Sequence, residues 1–94
     1  MSRKPWTFIT NHGAVLAYVG AHPKVTARQI ALELDITERT VLRIINDLDE
    51  SGYLSRQRVG RANHYQVNLS QPLRRPDQRS IAVGKVLKAL DFKD

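Results

Sequence analysis

Apolar residues recur at helical spacing in two short, adjacent bursts between Thr26 and Gly52. Ile30, Ala31 and Leu34 fall on one side of a first helix, and Val41, Ile44, Ile45 and Leu48 form a single stripe along a second. Thr26 and Gln29 stand in capping-box spacing at the start of the first, where hydroxyl and amide each satisfy a backbone N–H that the first turn leaves without a partner. Asp35-Ile36-Thr37 then interrupts the pattern. Thr37 is a natural N-cap for the second helix, expected over 38–50, and Gly52 a left-handed terminator beyond it. Helices joined by so few residues cross steeply, which leaves the second one projecting from the body.

After Gly52 the period changes to two. Tyr53 to Arg58 and Asn63 to Leu69 are expected as strands, joined by the four residues Val59-Gly60-Arg61-Ala62. Tyr65, Val67 and Leu69 alternate with His64, Gln66 and Asn68, so one face of this hairpin can lie on the helices while the other meets water. Upstream, Thr10 or Asn11 can cap a helix running to about Ala21, with Val15, Leu16 and Val19 inward and Pro23 beyond its end. Trp6, Phe8 and Ile9 add an apolar cluster behind Arg3 and Lys4. Downstream, Gln71 to Pro76 breaks regular structure, and Asp77 to about Leu90 carries Val83, Val86, Leu87 and Leu90 as a fourth helical stripe. The pattern predicts a mainly α fold with a small β-hairpin (α+β): a three-helix core, a wing over 56–64 and a C-terminal helix. Residues 1–94 are expected to form one such domain, with its core over 10–69 and the terminal helix over 77–90. That helix either covers its own core or pairs with the first helix or arm of a second subunit, giving a homodimer.

Charge sharpens the picture. Fifteen basic against nine acidic residues leave a net charge of +6, which favours nucleic acid or an anionic surface. From Ser51 to Pro76 the chain has five arginines, Arg56, Arg58, Arg61, Arg74 and Arg75, and no acid. Opposite the apolar stripe of the second helix stand Arg39, Arg43, Asn46 and Glu50, with Thr40, Leu42 and Asp47 at the edges. Arginine grips the two acceptors of guanine bidentately, threonine and asparagine reach phosphate or adenine, and the early residues of such a helix enter the major groove. Outward arginines alone mark only a soluble helix; the cap, the turn and the strand that follows are what favour DNA readout. Guanidinium groups on the hairpin suit the negative potential of a narrow minor groove, with Arg58 and Arg61 as the candidates.

These residues resemble the winged helix-turn-helix regulators of bacteria and archaea, including the MarR and DeoR types. The segment ITERTVLRIINDLDESGYLSRQRVGRANHYQV, from Ile36 to Val67, looks especially like small MarR-like proteins, as does the Pro-Leu-Arg-Arg-Pro run at Pro72 to Pro76. The resemblance implies double-stranded DNA as the partner. It makes Thr37, Arg39, Thr40 and Arg43 contacts of the recognition helix, and Arg58, Arg61 and Asn63 contacts of the wing. Thr26, Arg28, Leu42, Arg56 and His64 complete the candidate DNA-binding set. Leu42 departs from the pattern, since its position is usually small or polar. It either meets a thymine methyl or packs against the preceding helix.

Other chemistries find little support. His12, His22 and His64 have no partners at ligand or general-base spacing, so neither an enzyme nor a metal site is expected. The glycines build no phosphate-cradling loop, and no cofactor is implied. Zero cysteines exclude disulfides, thiolate zinc sites and thiol redox sensing. No apolar run approaches the ~20 residues needed to span a bilayer, and the first ten residues lack a secretory core, so a cytoplasmic protein without a membrane partner is expected. The expected function is a sequence-specific DNA-binding transcriptional regulator acting as a repressor. The rivals are a winged-helix protein-interaction or RNA-binding adaptor, and a nucleoid-type protein that binds duplex without sequence choice.

Overall fold

Thr10 opens the first helix. Its backbone is extended and its hydroxyl turns back to accept the N–H of Gly13 at 3.3 Å, so of the two cap candidates it is Thr10 that starts α1 (Asn11–Ala21). The computed structural model describes residues 8–60 and 62–90, and the expectations placed on Arg3, Lys4, Trp6 and Arg61 lie outside the described residues. Val15, Leu16 and Val19 are the buried residues of α1, as the apolar spacing predicts.

The capping box of α2 (Ala27–Leu34) is complete: the Gln29 N–H donates to Thr26 Oγ1 at 3.1 Å and the Thr26 N–H to Gln29 Oε1 at 2.9 Å. The helix ends at Asp35, which takes the left-handed conformation at φ 57° and ψ 47°. Aspartate tolerates that region better than most residues with a side chain, and the reversal there lets the chain turn within three residues. Thr37 then caps α3 (Glu38–Glu50), accepting the Thr40 N–H at 3.0 Å. Past the end of α3, Gly52 at φ +84° allows the Tyr53 N–H to reach the Leu48 carbonyl at 2.9 Å and its own N–H to reach Asp49 at 3.1 Å. This pair of bonds satisfies two carbonyls of the last turn and aims the chain into the wing.

The wing pairs β1 (Leu54–Val59) with β2 (Ala62–Val67) in antiparallel register, from Leu54 opposite Val67 to Val59 opposite Ala62. The connection is therefore two residues long rather than the expected four, with Gly60 at φ +63° supplying the positive φ that tight hairpins require. Tyr65 is buried and Val67 packs against the core, but Leu69, expected on the same inner face, is 53% exposed. The strand has ended before it. Asn68 bends the chain by accepting from the backbone and hydroxyl of Ser70 and donating to the Gly52 carbonyl. The hairpin is tied to the body where the Tyr65 N–H donates to the Pro23 carbonyl at 2.9 Å.

The C-terminal helix differs from expectation. In place of one helix over 77–90 there is a single 3-10 turn, Pro76–Gln78, followed by α4 (Val83–Ala89). Between them the backbone is committed to another partner: Pro72 bridges Ala82, the Leu73 N–H donates to Ile81 O at 3.0 Å, and the Val83 N–H to Gln71 O at 2.7 Å. Ala82 is extended as a result, and a helix cannot pass through it. Only Val83 and Leu87 of the predicted stripe are buried; Leu90 is 39% exposed. The terminal helix thus covers its own domain's core.

That core gathers residues from every layer. Ile30 of α2, Val41, Ile44 and Ile45 of α3, and Val15 and Val19 of α1 are at most 1% exposed, each burial of an aliphatic side chain being worth about 1.5–3 kcal/mol. Val25, Tyr53 and Leu54 join the same cluster, although they belong to no helical stripe. Among the described residues no polar or charged residue is buried.

Candidate nucleic-acid interface

The strongly buried stripe of α3 fixes what the helix presents on its other side. Glu38, Arg39, Leu42, Arg43, Asn46 and Glu50 are exposed, and Thr40 is half-buried at the edge. Leu42 is 50% exposed and so lies outside the buried core, on the side of α3 that carries Arg39 and Arg43. Thr37 has its hydroxyl committed, accepting from the Thr40 N–H and donating to Thr40 Oγ1 at 2.8 Å. The Thr40 hydroxyl, an acceptor in that bond, retains a proton of its own to donate.

Beside α3 stands the wing, and its register divides the candidates there. Residues that pair across a hairpin share a face, so Arg56 and Asn63 lie on the side of Leu54, Tyr65 and Val67, and Arg58 lies with Asn63. His64 pairs with Gln57 on the opposite side. The fold therefore brings Arg58 and Asn63 together on the face that continues from the helices and separates His64 from them. Arg58 is exposed near the tip, its Nε donating to the Gly60 carbonyl at 3.3 Å.

Arg56 stands apart from the others. Its Nε donates to Asp49 Oδ2 at 3.0 Å and its Nη2 to Asn46 Oδ1 at 2.9 Å, so the guanidinium expected to reach DNA is engaged by α3. Nothing in the sequence spacing signals this pairing, which depends on the angle at which the hairpin leaves Gly52. On α2, Arg28 is exposed, whereas the Thr26 hydroxyl is used twice within the cap, accepting from the Gln29 N–H and donating to its Oε1 at 3.2 Å.

Among the described residues the ion pairs are His12–Asp47 at 2.8 Å, Arg56–Asp49 and Arg75–Asp77, the last two at 3.0 Å. Arg28, Arg39, Arg43 and Arg58 appear in none of them. Three exposed guanidinium groups on the helix-turn-helix and one on the wing are a charge distribution suited to phosphate and to guanine edges. The acids of α3 are partly drawn aside, Asp47 toward α1 by His12 and Asp49 toward the wing by Arg56. His12 thus joins α1 to α3.

At the other end of α3 a groove of roughly 680 Å³ is lined by His12, Asp47, Glu50, Tyr53, Leu73 and Arg74, among others. Burial pushes the Tyr53 phenol above its ordinary range, and Arg74 partly offsets that. The Arg75 hydrogen bonds hold the Asp77 carboxyl below its usual value. Among the described residues no helix is long and apolar enough to cross a membrane, and no three His, Cys, Asp or Glu side chains gather as a metal site would require.

Comparison with known families finds that the model of the MarR family matches residues 7–62. Comparison with curated proteins gives no match. Among solved structures, Streptococcus pneumoniae FabT in complex with DNA is 30% identical, with a TM-score of 0.55, over 61% of this chain and 42% of its own. MepR, a transcription regulator of the Staphylococcus aureus multidrug efflux pump MepA, is 23% identical with a TM-score of 0.62, covering 88% of this chain and 58% of its own. The transcriptional regulator SlyA is 21% identical with a TM-score of 0.57, over 62% of this chain and 43% of its own. MepR and SlyA establish the likeness of fold. The chain spans about 42% to 58% of the length of these three proteins.

Proposed function

The chain belongs to the MarR family, and we propose that it is a sequence-specific double-stranded DNA-binding transcriptional regulator that acts as a repressor. The observation that carries this reading is the outward face of α3, where exposed Arg39, Leu42 and Arg43 project from a helix whose other side is fully packed. Arg39 and Arg43 read base edges in the major groove; Arg58, Asn63 and Arg61 of the wing hold backbone and minor groove. Thr37 and Thr40 sit at the helix start, where Thr40 donates to phosphate. Arg28 adds a backbone contact from α2. The solved FabT complex, the most identical of the three structures described, contains DNA, which supports the same partner here.

Residues 1–94 act as one DNA-binding domain, without catalysis, in the cytoplasm and as a homodimer. A twofold dimer sets two recognition helices on half-sites about 10 base pairs apart. Exposed Leu90 and half-buried Val86, left over from the terminal stripe after α4 has packed on its own core, support such a contact. Selection from random duplexes at near-physiological salt tests the reading. Enrichment of a near-palindromic site supports the dimeric regulator. Binding of all duplexes alike points to a nucleoid-type protein, and preference for RNA hairpins to an RNA adaptor.

A further inference from the structure

Arg56 lies on β1 directly across from buried Tyr65, and its guanidinium bridges two residues of α3 one turn apart, Asn46 and Asp49. Its side chain is 31% exposed, less than expected of an arginine that works in solvent. A guanidinium has only donors, so the amide edge that faces it must be the carbonyl. The carboxylate of Asp49 holds the guanidinium in a fixed plane, and that plane in turn fixes the Asn46 amide with Oδ1 toward the wing. Its NH2 group is then not taken up by Arg56, and Asn46 is exposed on α3 one turn beyond Leu42 and Arg43.

Resting on the reading of α3 as a base-reading helix, we propose that Arg56 is a positioning residue that presents Asn46 to the major groove as a hydrogen-bond donor. An asparagine free to turn reads adenine bidentately, accepting from N6 and donating to N7. With Oδ1 turned toward Arg56, the amide presents its NH2 end in place of a carbonyl and NH2 side by side, and those donors match an edge made of acceptors, the O6 and N7 of guanine. The wing thereby sets the base preference of the helix beside it without touching that base. Lysine cannot replace arginine in this role, since one ammonium does not span both partners in a fixed plane.

The test is a panel of single base-pair substitutions in the duplex enriched by the wild-type chain, bound by wild type, Asn46→Ala, Arg56→Lys and the double variant. Both positions are on the surface, and circular dichroism melts confirm that each variant is folded. The wild type discriminates for guanine over adenine at one base pair per half-site, and Asn46→Ala removes about tenfold of that discrimination. Arg56→Lys, which keeps the charge, loses discrimination at the same base pair, keeps its affinity for scrambled DNA, and adds nothing to Asn46→Ala in the double variant. A preference unchanged in Arg56→Lys, or an equal loss on every duplex, overturns the proposal. If the wild type enriches no sequence, the reading of α3 falls and this proposal with it. If a site is enriched and depends on Arg43 but not on Arg56, only the proposal falls.

Discussion

The Tyr53 hydroxyl donates to the carbonyl of Pro72, 19 residues further along the chain, and pins the segment that follows the wing to the end of α3. Gln71 Nε2 reinforces the tie by donating to the Ser51 carbonyl at 2.9 Å. Through these bonds the turn after α3, the base of the wing and the approach to α4 behave as one unit. Tyr53→Phe keeps the ring in the core but leaves the Pro72 carbonyl without its donor, at an expected cost of about 0.5–1.5 kcal/mol in urea denaturation. The phenol also has a pH signature. Burial raises its folded value above the ordinary 10.0, so its contribution is fully present below about pH 10 and is lost as pH rises through the folded value. Tyr53→Phe should lack that part of the alkaline decline, which paired stability measurements from pH 8 to 11 check.

Gly84 is the second residue of α4, where helix propensity alone would favour alanine by up to about 1 kcal/mol. Packing reverses the sign. A Cβ at this position would stand 2.8 Å from the Leu69 carbonyl oxygen and 3.0 Å from Leu69 Cβ, while the Gly84 N–H donates to that same carbonyl at 2.9 Å. Gly84→Ala is therefore expected to destabilise by about 1–3 kcal/mol, as overpacking against backbone does. A thermal melt that shifts upward would show that the α4 contact is looser than this.

Thr26 closes the capping box of α2 with both its backbone and its hydroxyl. Thr26→Ala should cost about 1 kcal/mol of stability. Because the hydroxyl is already used in both directions with Gln29, affinity for DNA should fall by less than twofold when measured well below the melting temperature. A large affinity loss in a fully folded variant would return Thr26 to the contact surface.

Arg58 is the wing arginine that lies with Asn63, and among the described residues its one side-chain bond is to the Gly60 carbonyl. Arg58→Ala should weaken preferred and scrambled duplexes alike and reduce the slope of log affinity against log salt by about one ion. An unchanged slope would remove the wing from contact with the backbone.

How much of this was legible in the sequence depends on how local the cause is. The stripe Val15, Leu16 and Val19, the caps Thr26 and Thr37, and the turn of three residues into α3 all follow from residue type and spacing along the chain, and the structure has them there, while at α1 the spacing leaves Thr10 and Asn11 open and the structure takes Thr10. Helical angle places Leu42 at the margin of the core, so spacing alone leaves its exposure open, and the structure leaves it 50% exposed. Leu69 and α4 were misplaced for a shared reason: the backbone of 69–73 pairs with 81–84 through hydrogen bonds between segments about ten residues apart. An apolar stripe carries no trace of that competition. Arg56 is the sharpest case. Its charge marked it for phosphate, yet Asp49 and Asn46, seven and ten residues earlier, take up its donors once the hairpin folds beside α3.

If α3 reads base sequence through Arg43, the affinities of wild type and Arg43→Ala for the enriched duplex and for a scrambled control at the same salt will show it. Arg43→Ala should lose about 1–3 kcal/mol on the enriched site and much less on the control. Equal losses on both duplexes would make Arg43 a phosphate contact and contradict base readout by this helix.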